Sequence, residues 1–541
     1  MYKISKSFFL YVLTASLLFI SCKSLKPPKT VPAPLNYTDN DIVKIEIDRI
    51  NKFLETEPVR ALWRACLLGN EEIVEKCRKA VELRLEVSLE EREYLDTRKY
   101  YKSLMSAFPG WKHEKYSLQQ IEEMAARDVP ALSGTNKKAP AKIADCMQAT
   151  VTIWVDRGIK VQAGAGYADI IIGSGFFIDE RGYIVTNHHV IESMVDPKYE
   201  GYSRLYIKLL NDSVTKIPAR VVGYDPVMDL ALLKVEIVPD FVFNLGGSRD
   251  LETGDKISAI GTPIGLEGTL TSGIISSTDR KLMPLGSVFQ IDAAVNSGNS
   301  GGPLIDSKLK VQAVVFAGML QYQGLNFAIP VEYLKQELNF LYKREEVRHP
   351  WLGCYGHTKR EASKKTGLEV QYVIPGGSAF MSGIRPDDII IQIDGKDITS
   401  IDDFNYFMMG CETETILQCK YLNSEKKECS CLVYLDVRPK SPGLTIFQSD
   451  LMTDSFVPLF GMKLVSSSTI NRNLYTIEKV ISGTVADNMH FSPNDSVTVR
   501  DMVIDEKNEY ISVLLYTKRK KKAFLDMSIG ISAAFDSPYY F

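Results

Sequence analysis

"IDAAVNSGNSGGPLID", residues 291–306, sets glycine and proline around Ser300 between apolar, strand-like flanks. Glycine loses more conformational freedom on folding than any other residue, so a cluster of it calls for a reason. A tight loop tip is one reason. The other is chemical. A hydroxyl attacking a carbonyl creates an oxyanion, and backbone N–H groups can converge on that charge only where no side chain crowds them. On this reading the N–H groups of Gly298, Asn299 and Ser300 point into one small hole, and Gly298 and Gly301 leave its approaches bare.

A serine hydroxyl is a weak nucleophile at neutral pH. It needs an imidazole to take its proton and a carboxylate to hold that imidazole in the right tautomer. Two stretches upstream offer these groups. "TNHHVIE" (186–192) carries His188 and His189, and "YDPVMDLALLKVE" (224–236) carries Asp225 in a turn and Asp229 at the head of an apolar strand. Each feature alone is weak, since histidines are often structural and aspartates favour turns. The order His, Asp, Ser inside one segment is that of double β-barrel proteases, not of α/β hydrolases or subtilisins. The surrounding text agrees. "ATVTIWVDRG", "ADIIIGSGFFID", "LALLKVE" and "KISAIG" are short β-branched runs broken by Gly, Pro or Asp, the pattern of a barrel or sandwich.

Taken together, "GSGFFIDERGYIVTNHHVIE", "DLALLKVE", "LTSGIISS", "IDAAVNSGNSGGPLID" and "GLNFAIPVEYL" resemble successive blocks of the HtrA/Deg family of exported serine proteases. The following "WLGCYG…GLEVQYVIPGGSAFMSGIRPDDIIIQIDGKDI" resembles that family's PDZ domain. The resemblance runs from Ala149 to Asp436. It implies a chymotrypsin-like double β-barrel, ATP-independent endopeptidase activity on unfolded or damaged proteins, and a homotrimer or larger cage. Carried over by position, His189, just before Val190, is the general base, Asp229 orients it and Ser300 attacks. Gly298 and Ser300 line the oxyanion hole, and no cofactor or metal is implied. The competitors are His188 and Asp225; the latter sits in a Gly-Tyr-Asp-Pro turn and reads as structural.

The primary specificity pocket of such proteases lies a few residues before the nucleophile. Here that place holds Ala293, Ala294 and Val295, with no acid. A buried cation needs a paired carboxylate, so cleavage after small or medium aliphatic residues is expected. Leu325, Asn326 and Phe327 are expected to form another wall, with Asn326 where the family usually has glycine.

The PDZ-like part contains an internal repeat. "VIPGGSAFMSGIRPDDII" (373–390) aligns without gaps on "VISGTVADNMHFSPNDSV" (480–497), and "WLGCYG" has a counterpart in "LFGMKL". The first copy is expected to bind C-terminal peptides by adding them as a strand. Backbone N–H groups near Leu352, Gly353 and Cys354 would hold the terminal carboxylate, and the helix in "SIDDFNYFMMG" would form the opposite wall. The second copy is shorter by about a dozen residues after its Pro-x-Asp, close to the length of that helix. It reads as degenerate, without a working groove.

The remaining organisation follows from composition. At 541 residues the chain exceeds one core. Its 45% hydrophobic and 24% charged content is that of ordinary globular protein, and a net charge of −3 gives no pull toward nucleic acid. Residues 1–22 have Lys3 and Lys6, an apolar run from Phe8 to Ile20, then Ser21 and Cys22. That is the export-signal plan, and it resembles a bacterial lipoprotein signal with Cys22 as the lipidated residue, so a membrane-anchored, periplasmic location is expected. Residues 23–40 read as a Pro/Lys-rich tether. Residues 41–140 have apolar residues at helical spacing and no catalytic constellation; Trp63 and Trp111 read as core. The protease is expected over 141–345, the PDZ domain over 346–440 and the degenerate copy over 441–541. Eight cysteines follow Cys22 without paired CxxC motifs, so a zinc site is not expected. A second class of function fits the same chain: a chaperone or PDZ-based scaffold whose protease site is silent.

Overall fold

The computed structural model describes residues 26–31, 40–127, 129–133, 138–162, 164–197, 199, 201–262, 268–318, 325–343, 345–470, 472–520 and 524–541. Cys22, the signal segment and most of the tether lie outside these residues. The chain forms two compact units. One holds residues 443–535, and the other holds the helical region, the barrels, the first PDZ domain and residues 536–541.

The helical region comprises α1 (Asn40–Thr56), α2 (Pro58–Leu68), α3 (Glu71–Glu90), α4 (Tyr94–Ala107) and α5 (Leu118–Arg127). Its boundaries are written locally. Pro58 opens α2, Gly69 ends it in the left-handed region at φ 73°, and the Asn70 side chain accepts from the Ile73 N–H to cap α3. Among the described residues no helix is long and apolar enough to cross a membrane.

After α6 (Ile143–Gln148) the chain enters two closed six-stranded barrels. The first is built from β1 (Thr150–Gln162), β2 (Ala165–Asp179), β3 (Tyr183–Thr186), β4 (Arg204–Leu209), β5 (Asp212–Asp225) and β6 (Leu230–Val235), ordered 1-2-3-6-5-4. The helix α7 (His188–Val195) leaves the end of β3. The second barrel is built from β7 (Lys256–Gly261), β8 (Thr269–Arg280), β9 (Val288–Ile291), β10 (Pro303–Ile305), β11 (Val311–Gly318) and β12 (Asn326–Pro330), ordered 10-11-12-9-8-7. Closure removes exposed strand edges, and the interiors fill with Ile, Val, Leu and Phe such as Ile153, Phe177, Leu233, Ile257 and Val315. The helix α8 (Val331–Lys343) follows β12 and packs its Leu334, Leu338 and Leu341 into the core.

The first PDZ domain contains β13 (Pro350–Trp351), β14 (Cys354–Glu361), β15 (Lys364–Val373), α9 (Ser378–Met381), β16 (Ile389–Ile393), β17 (Lys396–Asp397), α10 (Ile401–Met409), β18 (Ile416–Leu422), β19 (Glu428–Tyr434) and β20 (Asp436–Val437). Its sheet runs 14-15-16-18-19, so β14 is an edge strand. The helical region packs on β18 and β19. Trp63 stacks on Tyr434 with ring centroids 5.5 Å apart and donates its indole N–H to the Leu432 carbonyl at 3.0 Å. Arg98 meets the buried Glu412 at 2.6 Å, and the Ile416 N–H donates to Ser103 Oγ. The segment with no legible role is thus a brace behind the PDZ sheet.

The second unit repeats the plan. It contains α11 (Pro442–Ser449), α12 (Met452–Phe460), β21 (Met462–Ser466), β22 (Leu474–Val480), α13 (Val485–Asn488), β23 (Ser496–Asp505), β24 (Tyr510–Lys520) and β25 (Phe524–Ala534). The repeated glycines do the same work: Gly353 and Gly461 lie at φ 79° and 80°, and a Cβ on either would strike Ile374 or Thr484. Where the first copy inserts β17 and α10, the second passes from β23 to β24 through a turn. A groove needs two walls, and the helical one is missing. The expected boundary at 541 is corrected: residues 536–541 leave this sheet and pack with the other unit.

Candidate active site

The histidine pair sits at the start of α7, where the end of β3 hands the chain to a helix. His189 is 45% exposed at its side chain, and its Nδ1 lies 2.7 Å from Asp229 Oδ2. The His189 backbone N–H also donates to Asp229 Oδ1 at 2.8 Å, so one carboxylate fixes both ring and main chain. Asp229 adopts a left-handed φ of 53°, a conformation that costs energy for a side-chain-bearing residue and recurs at functional sites. The Asn187 amide holds it there by donating to the Asp229 carbonyl at 2.8 Å. Burial favours the neutral His189 ring, but the Asp229 hydrogen bond and charge, with Glu192 behind them, outweigh it and raise the pKa. His188 is different: it stacks on Tyr224 at 5.4 Å, and burial lowers its pKa. The choice between the two histidines is therefore made by the carboxylate, which pairs with His189.

The Ser300 loop is pressed against the first barrel. The Ser174 N–H donates to the Ser300 carbonyl at 2.8 Å, and Ser174 Oγ donates to the Gly298 carbonyl at 2.6 Å. A Cβ on Gly301 would lie 2.2 Å from both the Ser174 carbonyl and Thr186 Oγ1, and 3.1 Å from the Asn187 nitrogen. Bare backbone therefore lets the serine loop abut the end of β3, just before His188 and His189. Gly298 sits at φ 103°. Among the described residues the Gly298 and Ser300 N–H groups have no acceptor, as donors awaiting an oxyanion require. The expectation for Asn299 is corrected, because its N–H is spent on the Asn296 carbonyl at 3.0 Å. Ser300 Oγ donates to the Phe316 carbonyl at 3.2 Å, not to His189.

The four residues expected around the specificity pocket separate. Ala294 is exposed at the segment's surface, and Leu325 is half-buried. The buried Asn326 donates its amide to the Ala293 carbonyl at 2.8 Å, so it ties the segment that a glycine would leave free. Phe327 is not a free wall: it is 5% exposed and belongs to the core beside Phe316. At the PDZ domain, the Cys354 N–H donates to the Phe541 main-chain oxygen at 2.8 Å, and the Leu352 and Gly353 carbonyls accept from the Ala379 and Ile374 N–H groups.

Asp225 has a structural partner set that sequence reasoning did not find. Its Oδ2 lies 2.7 Å from His349 Nε2, its Oδ1 caps the Val227 and Met228 N–H groups, and Glu337 completes the cluster with ligand atoms within 4.8 Å of one another. All three side chains are buried. Burial opposes the charge on Asp225, but His349 overrides it and lowers its pKa. Burial, reinforced by Asp225, pushes Glu337 well up, which favours its protonated form. A signal existed: Glu337 falls in the apolar phase of α8, between Leu334 and Leu341. All eight cysteines among the described residues are free thiols.

The sequence falls into recognised families along most of its length. A trypsin-like peptidase domain matches residues 173–314 and a PDZ domain residues 343–412. The TP0546 family PDZ domain matches residues 443–535, and a domain of unknown function matches 41–125. A probable periplasmic serine endoprotease DegP-like of a Marinomonas strain is 30% identical over 332 residues, 59% of this chain and 68% of that protein. The putative serine protease HhoB of Synechocystis is 33% identical over 252 residues, 43% of this chain and 58% of its own. A Bartonella henselae DegP-like endoprotease is 39% identical over 246 residues, 43% of this chain and 47% of its own. This chain thus spans 58% and 47% of the lengths of those two relatives. Among solved structures, the HtrA-type protease AlgW with tripeptide aligns at a TM-score of 0.46 and 25% identity, covering 57% of this chain and 97% of that one. With two closed barrels, a peptidase domain, a PDZ domain and these relatives, the chain belongs to the HtrA/Deg family of serine proteases.

Proposed function

We propose that the protein is an ATP-independent serine endopeptidase of the cell envelope that cuts unfolded or damaged proteins. His189 is the general base, Asp229 orients it and Ser300 attacks; Gly298 and Ser300 supply the oxyanion donors. The observation that carries this reading is the two-point hold of Asp229 on His189, at 2.7 and 2.8 Å, beside a serine loop whose Gly298 and Ser300 N–H groups have no acceptor among the described residues. A turn of the Ser300 side chain away from the Phe316 carbonyl frees its proton for His189. The absence of an acid at Ala293–Val295 supports cleavage after small or medium aliphatic residues. The relatives named as periplasmic endoproteases support an envelope location. Assembly as a trimer or larger, and anchoring through a lipidated Cys22, complete the proposal. A scaffold with a silent site is the second reading, favoured by one observation: the Ser300 hydroxyl is bonded to Phe316 rather than to the base. Fluorophosphonate labelling with casein digestion separates the two. Wild type is expected to label and digest and Ser300→Ala to do neither; identical behaviour of the two chains would remove the hydrolase.

A further inference from the structure

The edge of the first PDZ sheet is not open. Strand β14 would present unpaired N–H and C=O groups to solvent, the template to which an extended peptide adds. Residues 539–541 of the same chain lie along it antiparallel. The Cys354 N–H donates to the Phe541 main-chain oxygen at 2.8 Å, and the Phe541 N–H returns a bond to the Cys354 carbonyl at 3.0 Å. One step on, Tyr355 pairs with Tyr540, and the Gly356 N–H donates to the Tyr539 carbonyl at 3.1 Å. The register is that of strand addition.

The side chains fit as well as the backbone. Phe541 is 2% exposed, packed in the PDZ core with its ring edge-on to Phe404 of α10 at 5.0 Å. A Cβ on Gly356 would strike the Glu369 carbonyl oxygen at 2.1 Å and would also sit 3.1 Å from Phe541 Cε1. Tyr539 lies against His357 with ring centroids 4.1 Å apart. Upstream, Arg438, almost fully buried at its side chain, grips Asp536 with both terminal nitrogens at 2.6 and 2.5 Å, and Asn405 of α10 donates to the Pro538 carbonyl. An aromatic pocket, a strand edge and a buried guanidinium thus each hold one part of six residues.

We propose that the peptide groove of the first PDZ domain is occupied by the chain's own residues 536–541 as an internal ligand, which an incoming peptide of the same aromatic chemistry has to displace. The proposal rests on reading this domain as a peptide binder, and not on hydrolysis at Ser300. Its consequence reaches the protease domain through α10. The helix that holds Phe541 and Pro538 on one side rests on the second barrel on the other, where Asp402 pairs with Lys281 and the Arg249 guanidinium covers the Tyr406 ring at 3.7 Å. The occupant of the groove and the protease domain therefore share one wall.

The test uses the full chain carrying Ser300→Ala, so that no probe is cut, and the synthetic peptide Asp-Ser-Pro-Tyr-Tyr-Phe. An internal competitor held at high effective concentration weakens apparent affinity, so Phe541→Ala and Asp536→Ala should each bind the peptide at least about 10-fold more tightly than the parent. Hydrogen exchange on the unmutated tail covers the case in which a variant folds poorly. The 536–541 fragment should be protected in the parent and lose protection when excess peptide is added, while β14 keeps its own. Equal affinity for parent and variants, a tail that exchanges freely in the parent, or no peptide binding by any chain would each overturn the proposal. Fluorophosphonate labelling of the Ser300 chain reads the hydrolase separately and can succeed or fail independently.

Discussion

Asp229 holds His189 at two points: the ring nitrogen Nδ1 at 2.7 Å and the backbone N–H at 2.8 Å. The bond to Nδ1 leaves Nε2 as the free face of the imidazole and stabilises the protonated ring. Asp229→Asn keeps the shape but favours the wrong tautomer, and kcat on a peptide substrate should fall by roughly 10⁴-fold. The sign of the pH effect follows from the raised pKa of His189. The neutral base is lost as pH falls through that value, so the acid limb of kcat/KM should lie above the ordinary histidine pKa of about 6.5. In any residual activity of Asp229→Asn the limb should move down. A limb that stays put in the variant would mean another group controls it.

Gly301 lies between Ser300 and the first barrel. A methyl there would enter the Ser174 carbonyl and Thr186 Oγ1 at 2.2 Å, on a backbone at φ 85°. Gly301→Ala should cost at least about 3 kcal/mol in urea unfolding and abolish fluorophosphonate labelling, because relief requires the Ser300 loop to move away from β2 and β3. Normal labelling would show that the two loops need not abut.

The reach of the sequence was set by which interactions are local or patterned. The barrels were legible because β-branched runs and turn residues repeat at short intervals. The His–Asp–Ser order was legible because each block carries its own flanking pattern. The missing groove helix of the second PDZ copy could be read as a length difference between aligned repeats. Contacts far apart along the chain left no such mark. Trp63 meets Leu432 and Tyr434, Arg98 meets Glu412, and Phe541 meets Cys354, each pair far apart along the chain. Asn299 and Phe327 were misassigned for a subtler reason. A turn hydrogen bond and a core position redirected the group each was expected to offer.

Arg98 and Glu412 join the helical brace to the PDZ domain through a pair whose side chains are 11% and 0% exposed. Removing one partner strands the other charge away from water, whereas replacing both with apolar groups removes the need for it. Arg98→Met should destabilise by about 3–5 kcal/mol, and the double variant Arg98→Met/Glu412→Leu should recover most of that loss. Thermal unfolding of the three chains decides it. If the double variant is as weak as the single one, packing rather than charge governs this contact.

Glu337 offers the opposite case, a buried carboxyl whose surroundings favour the protonated form. Burial and the neighbouring Asp225 push its pKa well above the ordinary glutamate value. A group raised in the folded state contributes fully below its unfolded pKa of about 4.5 and progressively less as pH rises toward the folded value. Asp225 runs the other way: lowered by His349, it contributes above the unfolded aspartate pKa and loses that contribution as pH falls through the folded one. Glu337→Gln keeps a hydrogen-bond donor facing Asp225 without a proton to lose. The variant should therefore match wild type near pH 4.5 and exceed it increasingly up to pH 8, by several degrees in Tm. Asp225→Asn, which strips His349 of its partner, should lose stability most clearly near neutral pH. A Tm difference between Glu337→Gln and wild type that does not grow with pH would show that the Glu337 pKa is not raised in the folded chain.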